Sequence, residues 1–239
     1  MTTTIAAVSV GRDGNAVFVL CADGKLSQGA LGSHNRATKL FHLGYNWMAL
    51  MAGYWNTARG LCEALMVSMA ASGRPPSDKG ELKDVIETAG NRFAASSLWK
   101  EDEPCRLIIT GFIEGSPVML KVDLEEKHYI TIDPEYDFCA AGSGEEAAKL
   151  LLNHRGADPL KTSLEEACYA IYEAKKFSEM AEGVGPVTHI YIHANRGDGK
   201  LCYNELSEKA LEHLEEVRKR SSLQPVTDLM PKFPSSFFI

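Results

Sequence analysis

The sequence predicts an α+β protein in which antiparallel sheets are covered by layers of helices. Apolar runs of strand length are joined by short turn segments, which makes neighbouring strands antiparallel. Helical patterns come in consecutive pairs and do not alternate singly with strands, as they would around a parallel sheet. The chain has 239 residues, of which 45% are hydrophobic and 24% charged, so it is large enough to bury the core of such a sandwich.

The first part of the chain consists of predicted strands. The segments 4–10 and 17–22 are β-branched or apolar, flank a turn rich in Gly, Asp and Asn, and form a hairpin whose second strand is buried on both faces. Residues 24–36, rich in glycine and serine, predict a loop. A second strand pair, 38–42 and 47–51, follows.

Capping residues predict where the helices begin. Asn56 and Ser77 are predicted N-caps of the first two helices, and the capping box Ser163-x-x-Glu166 opens a long helix that runs to about Ala181. The other predicted elements are strands at 106–112, 117–123, 128–132, 137–141, 188–194 and 200–205 and helices at 145–153 and 208–220. We expect residues 1–220 to form one domain and residues 221–239 to form a tail.

Composition excludes several classes of function. The net charge of −7 argues against nucleic acid as the main partner, and no segment approaches the ~20 apolar residues of a membrane helix. The start of the chain lacks a secretory signal pattern, and its six cysteines form no C-x-x-C pair, which predicts reduced thiols in a cytoplasmic protein. His189 and His193 lie about 13 Å apart along one strand and cannot share a metal ion, so no metal or other cofactor is expected.

Thr2 is the first candidate for chemistry. Removal of Met1 would leave a free α-amine, with a pKa of ~7.7–8.0, beside the hydroxyl of the same residue. A threonine paired with its own N-terminal amine is one way to activate a weak hydroxyl nucleophile. The alternative is that Thr2 merely leads an edge strand.

Three further residues complete an acyl-transfer set. Lys39 lies in a predicted core strand and needs a partner, for which Asp23 at the end of the strand 17–22 is the natural candidate. A lysine fixed beside the Thr2 hydroxyl would lower its pKa. Gly53 closes the apolar run 48–53, where its backbone N–H can stabilise an oxyanion.

At these positions the sequence resembles the catalytic β-subunits of proteasomes and their bacterial relative, the HslV protease. The resemblance spans about residues 2–205 and rests on five short motifs in the same order and spacing: Met-Thr-Thr-Thr-Ile at the start, Ala22-Asp23-Gly24, Thr38-Lys39, Met51-Ala52-Gly53 and Ala141-Gly142-Ser143-Gly144. It implies a four-layer αββα sandwich of the N-terminal nucleophile (Ntn) hydrolases, assembled into rings.

The resemblance also implies a role for each matched residue. Thr2 would be the nucleophile and its amine the base, Lys39 would tune the hydroxyl, and Asp23 would hold Lys39. Gly53 would supply the oxyanion N–H, and Ser143 would bond near the amine, unless it only caps the following helix. The substrate pocket would be lined by Leu26, Met51, Tyr54 and Trp55, although Met51 also fits plain core packing.

The sequence departs from the family pattern at three places, the first of which is a hairpin, Val8 to Phe18, that is longer than the family usually has. Glu179 and Glu182 stand where the family has an aspartate and a serine, so they either raise the pKa of the amine or are solvated charges at a helix end. Tyr54 and Trp55 replace small residues and could narrow the substrate groove.

The resemblance implies a threonine-type endopeptidase that acts on peptides or unfolded proteins inside a homo-oligomeric ring, with an AAA+ ATPase unfoldase as a plausible partner. Two alternatives remain open: a catalytically blocked ring subunit that retains Met1, and a related Ntn amidase or acyl transferase. The tail ends in Phe237-Phe238-Ile239, which a free monomer would expose at a cost, so we expect it to dock on a neighbouring subunit. Unchanged assembly after deletion of residues 222–239 would contradict that expectation.

Overall fold

The computed structural model describes residues 2–27, 33–34, 38–96, 103–124, 130–156, 162–197 and 200–220. The predicted tail, 221–239, lies outside the described residues. The strands are β1 (Thr3–Val10), β2 (Ala16–Asp23), β3 (Leu26–Ser27), β4 (Ser33–His34), β5 (Leu40–Gly44), β6 (Trp47–Gly53), β7 (Cys105–Ile113), β8 (Ser116–Leu124), β9 (Ile130–Glu135), β10 (Phe138–Gly142), β11 (Thr188–Asn195) and β12 (Leu201–Glu205). The helices are α1 (Trp55–Ala71), α2 (Lys79–Ala94), α3 (Glu145–Arg155), α4 (Leu164–Ser178) and α5 (Glu208–Arg220).

Two antiparallel five-stranded sheets form the centre of the molecule. The first has the order β10-β1-β2-β11-β12, and the second has the order β5-β6-β7-β8-β9. Within the second sheet every strand pairs with its neighbour in sequence, as the short connections predict. In the first sheet β1 lies between β10 and β2, so the start of the chain enters a central strand and not an edge strand.

Three apolar cores divide the sandwich into layers. One core joins the first sheet to α3, α4 and α5, and another joins the second sheet to α1 and α2. The third lies between the sheets, where alternate residues such as Ala6, Phe18 and Leu50 meet. The α+β fold of two antiparallel sheets between helical layers is therefore confirmed.

Several predicted boundaries shift for local reasons. The first helix has Tyr54 at its N-cap with no side-chain cap, so the prediction of an Asn56 cap is wrong. Asp78, and not Ser77, caps α2 by accepting the Glu81 N–H, while Ser77 bonds the Glu81 carboxylate. The capping box at Ser163 is confirmed, but α4 ends at Ser178, three residues before the predicted end.

Two strand predictions also need correction. The predicted loop at 24–36 contains the short pair β3 and β4. The strand predicted at 128–132 is β9, which continues to Glu135 through Pro134. Proline is tolerated there because β9 is an edge strand, where an N–H is not needed on the outer side. Within the described part of the chain, no helix is both long and apolar enough to cross a membrane.

Candidate active site

Thr2 lies at one end of the sandwich, directly before the central strand β1. Its side chain is only 3% exposed, because β10 and β2 flank the strand on both sides. The interpretation of Thr2 as the leader of an edge strand is therefore wrong. The hydroxyl is held at a fixed position inside the protein.

The structure brings Thr2, Asp23 and Lys39 into direct contact. The Thr2 hydroxyl donates to Asp23 Oδ2 at 3.0 Å. The Lys39 ammonium donates both to Thr2 Oγ1 and to Asp23 Oδ1. Asp23 ends β2 in the first sheet, whereas Lys39 precedes β5 in the second, so the sandwich itself assembles this group.

The Asp23 carboxylate is fully buried and saturated with donors. It accepts hydrogen bonds from Thr2 Oγ1, from the Thr3 N–H at 2.7 Å, from the Lys25 N–H at 3.0 Å and from Lys39 Nζ. These hydrogen bonds replace the water that a carboxylate loses on burial. Burial is the main reason that the pKa of Lys39 is lowered from its ordinary value, and the adjacent Asp23 carboxylate opposes that shift.

Gly53 is the last residue of β6, the strand that pairs with β5 in the second sheet. The Met51 N–H donates to Lys39 O at 2.9 Å. Because N–H groups two residues apart on a strand point the same way, we infer that the Gly53 N–H points toward the side on which Lys39 lies. Gly53 is exposed and has φ +89°. A Cβ there would lie 2.5 Å from Pro104 O, so only glycine fits.

The segment 142–144 closes around the start of β1. Ser143 Oγ donates to Thr2 O at 3.3 Å. Gly144, and not Ser143, is the N-cap of α3, and no side chain caps that helix, so the capping alternative for Ser143 is wrong. A Cβ on Gly142, whose φ is +101°, would lie 2.1 Å from Thr2 O.

The four predicted pocket residues have different environments. Tyr54 follows Gly53 and is 51% exposed. Met51 is 2% exposed in the core beneath α1 and α2, as plain packing predicts, and Trp55 packs against the same core. Leu26 begins β3, and its side chain lies outside the described residues.

The two glutamates near the end of α4 differ as well. The Glu179 carboxylate accepts from the ammonium groups of Lys175 and Lys176, the latter at 2.9 Å. Glu182 is exposed to solvent. The described contacts of Glu179 are thus with lysines, and Glu182 behaves as a solvated charge at a helix end.

The remaining reactive side chains are structural. All six cysteines are free of disulfides, and burial raises the pKa of the Cys21 thiol to about 12 and also raises that of Cys139. His193 is buried against Asn46, while His189 bonds Glu205 at 2.8 Å. Among the described residues, no group of His, Cys, Asp and Glu is arranged to hold a metal ion.

Sequence reasoning missed the buried lysine of α4. Lys175 is fully buried and donates to Gly185 O at 2.7 Å. A signal existed, because Cys168, Ile171 and Lys175 are spaced at helical intervals and share one buried face. A lysine on that face predicts a specific polar partner.

Comparison with known proteins supports the fold. No protein-family model and no curated protein matches the sequence. Among solved structures, eukaryotic HslV from Trypanosoma brucei superimposes with a TM-score of 0.57 at 17% sequence identity, covering 79% of this chain and 98% of that chain. The chain therefore has the fold of this HslV, which confirms in architecture the resemblance to HslV and the proteasome β-subunits.

Proposed function

We propose that this chain is a threonine-type endopeptidase that hydrolyses peptide bonds through an acyl ester on Thr2. One observation carries the proposal: the Thr2 hydroxyl is buried and bonded to both members of the Asp23–Lys39 ion pair. A structural threonine has no need of an ammonium group on its hydroxyl, whereas a nucleophile gains from one, since positive charge stabilises the developing alkoxide.

The reaction begins after removal of Met1. The Thr2 α-amine takes the hydroxyl proton while Oγ1 attacks the substrate carbonyl carbon, and the Lys39 ammonium stabilises the charge on Oγ1. The Gly53 N–H donates to the resulting oxyanion. The protonated amine then gives its proton to the departing amine, which leaves an ester on Thr2. Water, deprotonated by the same amine, hydrolyses that ester and regenerates the hydroxyl.

Covalent labelling tests this proposal. Mature protein exposed to a β-lactone probe should gain the mass of one probe, located on Thr2 by peptide mass spectrometry. Thr2→Ala should abolish labelling. Thr4→Val is the matched control, since it removes a nearby buried hydroxyl that has no hydrogen-bond partner among the described residues. Peptide hydrolysis that survives Thr2→Ala would contradict the mechanism.

Intact mass separates the endopeptidase from its rivals. Met1 retained on all molecules, together with no labelling, would favour a blocked ring subunit. Product that carries an added amine nucleophile would favour an acyl transferase, because an acyl-Thr2 ester can pass its acyl group to an amine instead of water.

Assembly is a further part of the proposal. We place the protein in the cytoplasm as a homo-oligomeric ring that encloses the Thr2 sites, supplied with unfolded chains by an AAA+ ATPase. The resemblance to HslV and proteasome β-subunits supports this assignment. Light scattering should give a mass several times the 26.2 kDa of one chain, and a monomer would contradict it.

A further inference from the structure

Lys175 is a charged residue on the buried side of α4. It lies in the last turn of α4, its side chain is 0% exposed, and its ammonium contacts Glu179 and Gly185 O, the latter at 2.7 Å. Burying an ammonium costs free energy that these partners must offset. Glu179 also bonds Lys176, whose side chain is 20% exposed, so neutralising Glu179 does not by itself require a buried lysine.

Gly185 connects this lysine to the turn that follows β2. A Cβ on Gly185 would lie only 2.4 Å from Lys25 Cβ, so Gly185 packs directly against the base of the Lys25 side chain. Two residues further on, Val187 O accepts the Gly24 N–H at 3.1 Å. The segment 185–187 therefore lies against residues 24 and 25. Lys175 bonds Gly185, the first residue of this segment, from the interior of the protein.

The same turn orients the carboxylate of the candidate site. The Lys25 N–H donates to Asp23 Oδ1 at 3.0 Å, and the Lys39 ammonium donates to that same oxygen. A displacement of Lys25 would move or release Oδ1, and with it the ammonium that contacts Thr2 Oγ1. A continuous path of contacts thus leads from α4 to the nucleophile.

We propose that Lys175 is a positioning residue that fixes Gly185 behind Lys25 and thereby holds Asp23 and Lys39 in line with Thr2. This inference rests on the proposed function only for its kinetic consequence. Its structural consequence, an ordered turn at residues 24 and 25, holds whether or not the protein is an enzyme.

Lys175 also acts on Lys39 through its charge, in the direction opposite to that of the Asp23 contact that it maintains. The titratable groups that act on it include Glu179 at the C-cap of α4, Cys21 on β2, Lys176 on α4 and Lys39 at the candidate site. Burial is the largest cause of the lowered pKa of Lys39, and the Asp23 carboxylate opposes it. The Lys175 ammonium makes a smaller contribution that also lowers this pKa.

Removal of this charge alone would raise the pKa of Lys39, whereas release of the Asp23 carboxylate, the larger of the two effects, would lower it. A downward shift of the alkaline limb of the pH–rate profile in Lys175→Met is therefore the result expected from lost positioning, and an upward shift is the result expected from lost charge alone.

Hydrogen exchange tests the structural consequence. Lys175→Met keeps the length of the side chain but removes its donor, and Gly185→Ala pushes on Lys25 from the other side. Each should raise the exchange rate of peptides that cover residues 24–27 at least tenfold, with β7 and β8 unchanged. Lys176→Met is the comparison variant, since it removes the same charge, a bond to the same Glu179 and the bond from Lys176 Nζ to Pro186 O at 3.1 Å, but leaves the buried bond from Lys175 to Gly185 O intact.

Labelling kinetics test the functional consequence. Lys175→Met and Gly185→Ala should each lower the maximal rate of β-lactone labelling at Thr2 at least tenfold with little change in probe affinity, and the double variant should lose little more than either. Unchanged exchange and labelling in both variants, or equal effects of Lys176→Met, would overturn the proposal. If the wild-type protein is not labelled, the proposed function fails, while the exchange result still decides the role of Lys175.

Discussion

At the scale of single residues, the candidate site depends on compensated burial. A fully buried carboxylate is stable only where donors replace water, and Asp23 has four of them. The ammonium of Lys39 is 3% exposed and has the same carboxylate as its counter-charge. Loss of either charge would leave the other buried without a counter-charge. The pair therefore contributes to the free energy of unfolding as well as to the proposed chemistry.

We predict that Asp23→Asn lowers the free energy of unfolding by about 3 kcal/mol, because it leaves Lys39 as an uncompensated buried charge. The double variant Asp23→Asn/Lys39→Met should lose less than the sum of the two single variants. Urea unfolding at fixed protein concentration measures both. Arg59→Met is the control: its pair with Glu63 is exposed by 57% and 50%, and its loss should cost less than ~1 kcal/mol. Equal costs for Asp23→Asn and Arg59→Met would contradict the argument.

Only some of the contacts at and near this site are predicted from the sequence. The meeting of Thr2, Asp23 and Lys39 follows from a lysine in a core strand and from the resemblance to a known family. Lys175 was not predicted, because the spacing from Lys175 to Glu179 is also that of an ordinary surface ion pair. Its decisive partner is a backbone carbonyl, that of Gly185, and a carbonyl carries no residue-type signal.

At the scale of elements, strand alternation and turns were more predictable than caps. Two-residue turns such as Glu114-Gly115 fix which strands pair, and both residues have positive φ, as a tight hairpin requires. The start of α1 differs from the predicted one by two residues because that helix begins without a side-chain cap, and the start of α2 differs by one because two adjacent residues can both act as caps. Asp78 rather than Ser77 occupies the cap of α2, although both residues bond Glu81.

The connection from β10 to α3 makes room for the start of β1. Gly142→Ala would place a methyl group 2.1 Å from Thr2 O at a φ of +101°. We expect it to reduce the free energy of unfolding by at least ~2 kcal/mol more than Gly156→Ala does. Gly156 also has a positive φ, +60°, but faces open space, so it controls for backbone strain alone. Thermal unfolding of both variants provides the comparison. Equal losses of unfolding free energy would mean that the start of β1 moves aside without destabilising the protein.

At the scale of the whole molecule, the layer order was predictable from the grouping of strands and helices, whereas the contacts between the sheets away from the candidate site were not. Apolar alternation predicts that two sheets face each other, but not which polar residues bridge them. His193 on β11 does so: His193 Nε2 lies 2.8 Å from Asn46 Oδ1, and His193 Nδ1 lies 3.3 Å from the Thr110 hydroxyl. The rings of Phe18 and Phe112 surround it.

This histidine should make the stability of the sandwich depend on pH. Burial, with a smaller contribution from His42, lowers the pKa of His193 to about 3, while an unfolded histidine titrates near ~6.5. Between these values the unfolded chain binds a proton that the folded chain does not. The stabilising contribution is therefore complete above pH 6.5 and is lost as the pH falls toward 3, at about 1.4 kcal/mol per pH unit.

Urea unfolding at pH values from 7.5 to 4.5 tests this dependence when wild-type protein is compared with His193→Gln. Glutamine keeps a donor for Asn46 but cannot take up a proton, so the variant should be less stable at pH 7 and should lose stability less steeply on acidification. The difference between the two curves isolates the contribution of His193, because every other side chain is the same in both proteins. Parallel curves would mean that the folded and unfolded chains take up the His193 proton at the same pH, so burial of this histidine would contribute nothing to the pH dependence of stability.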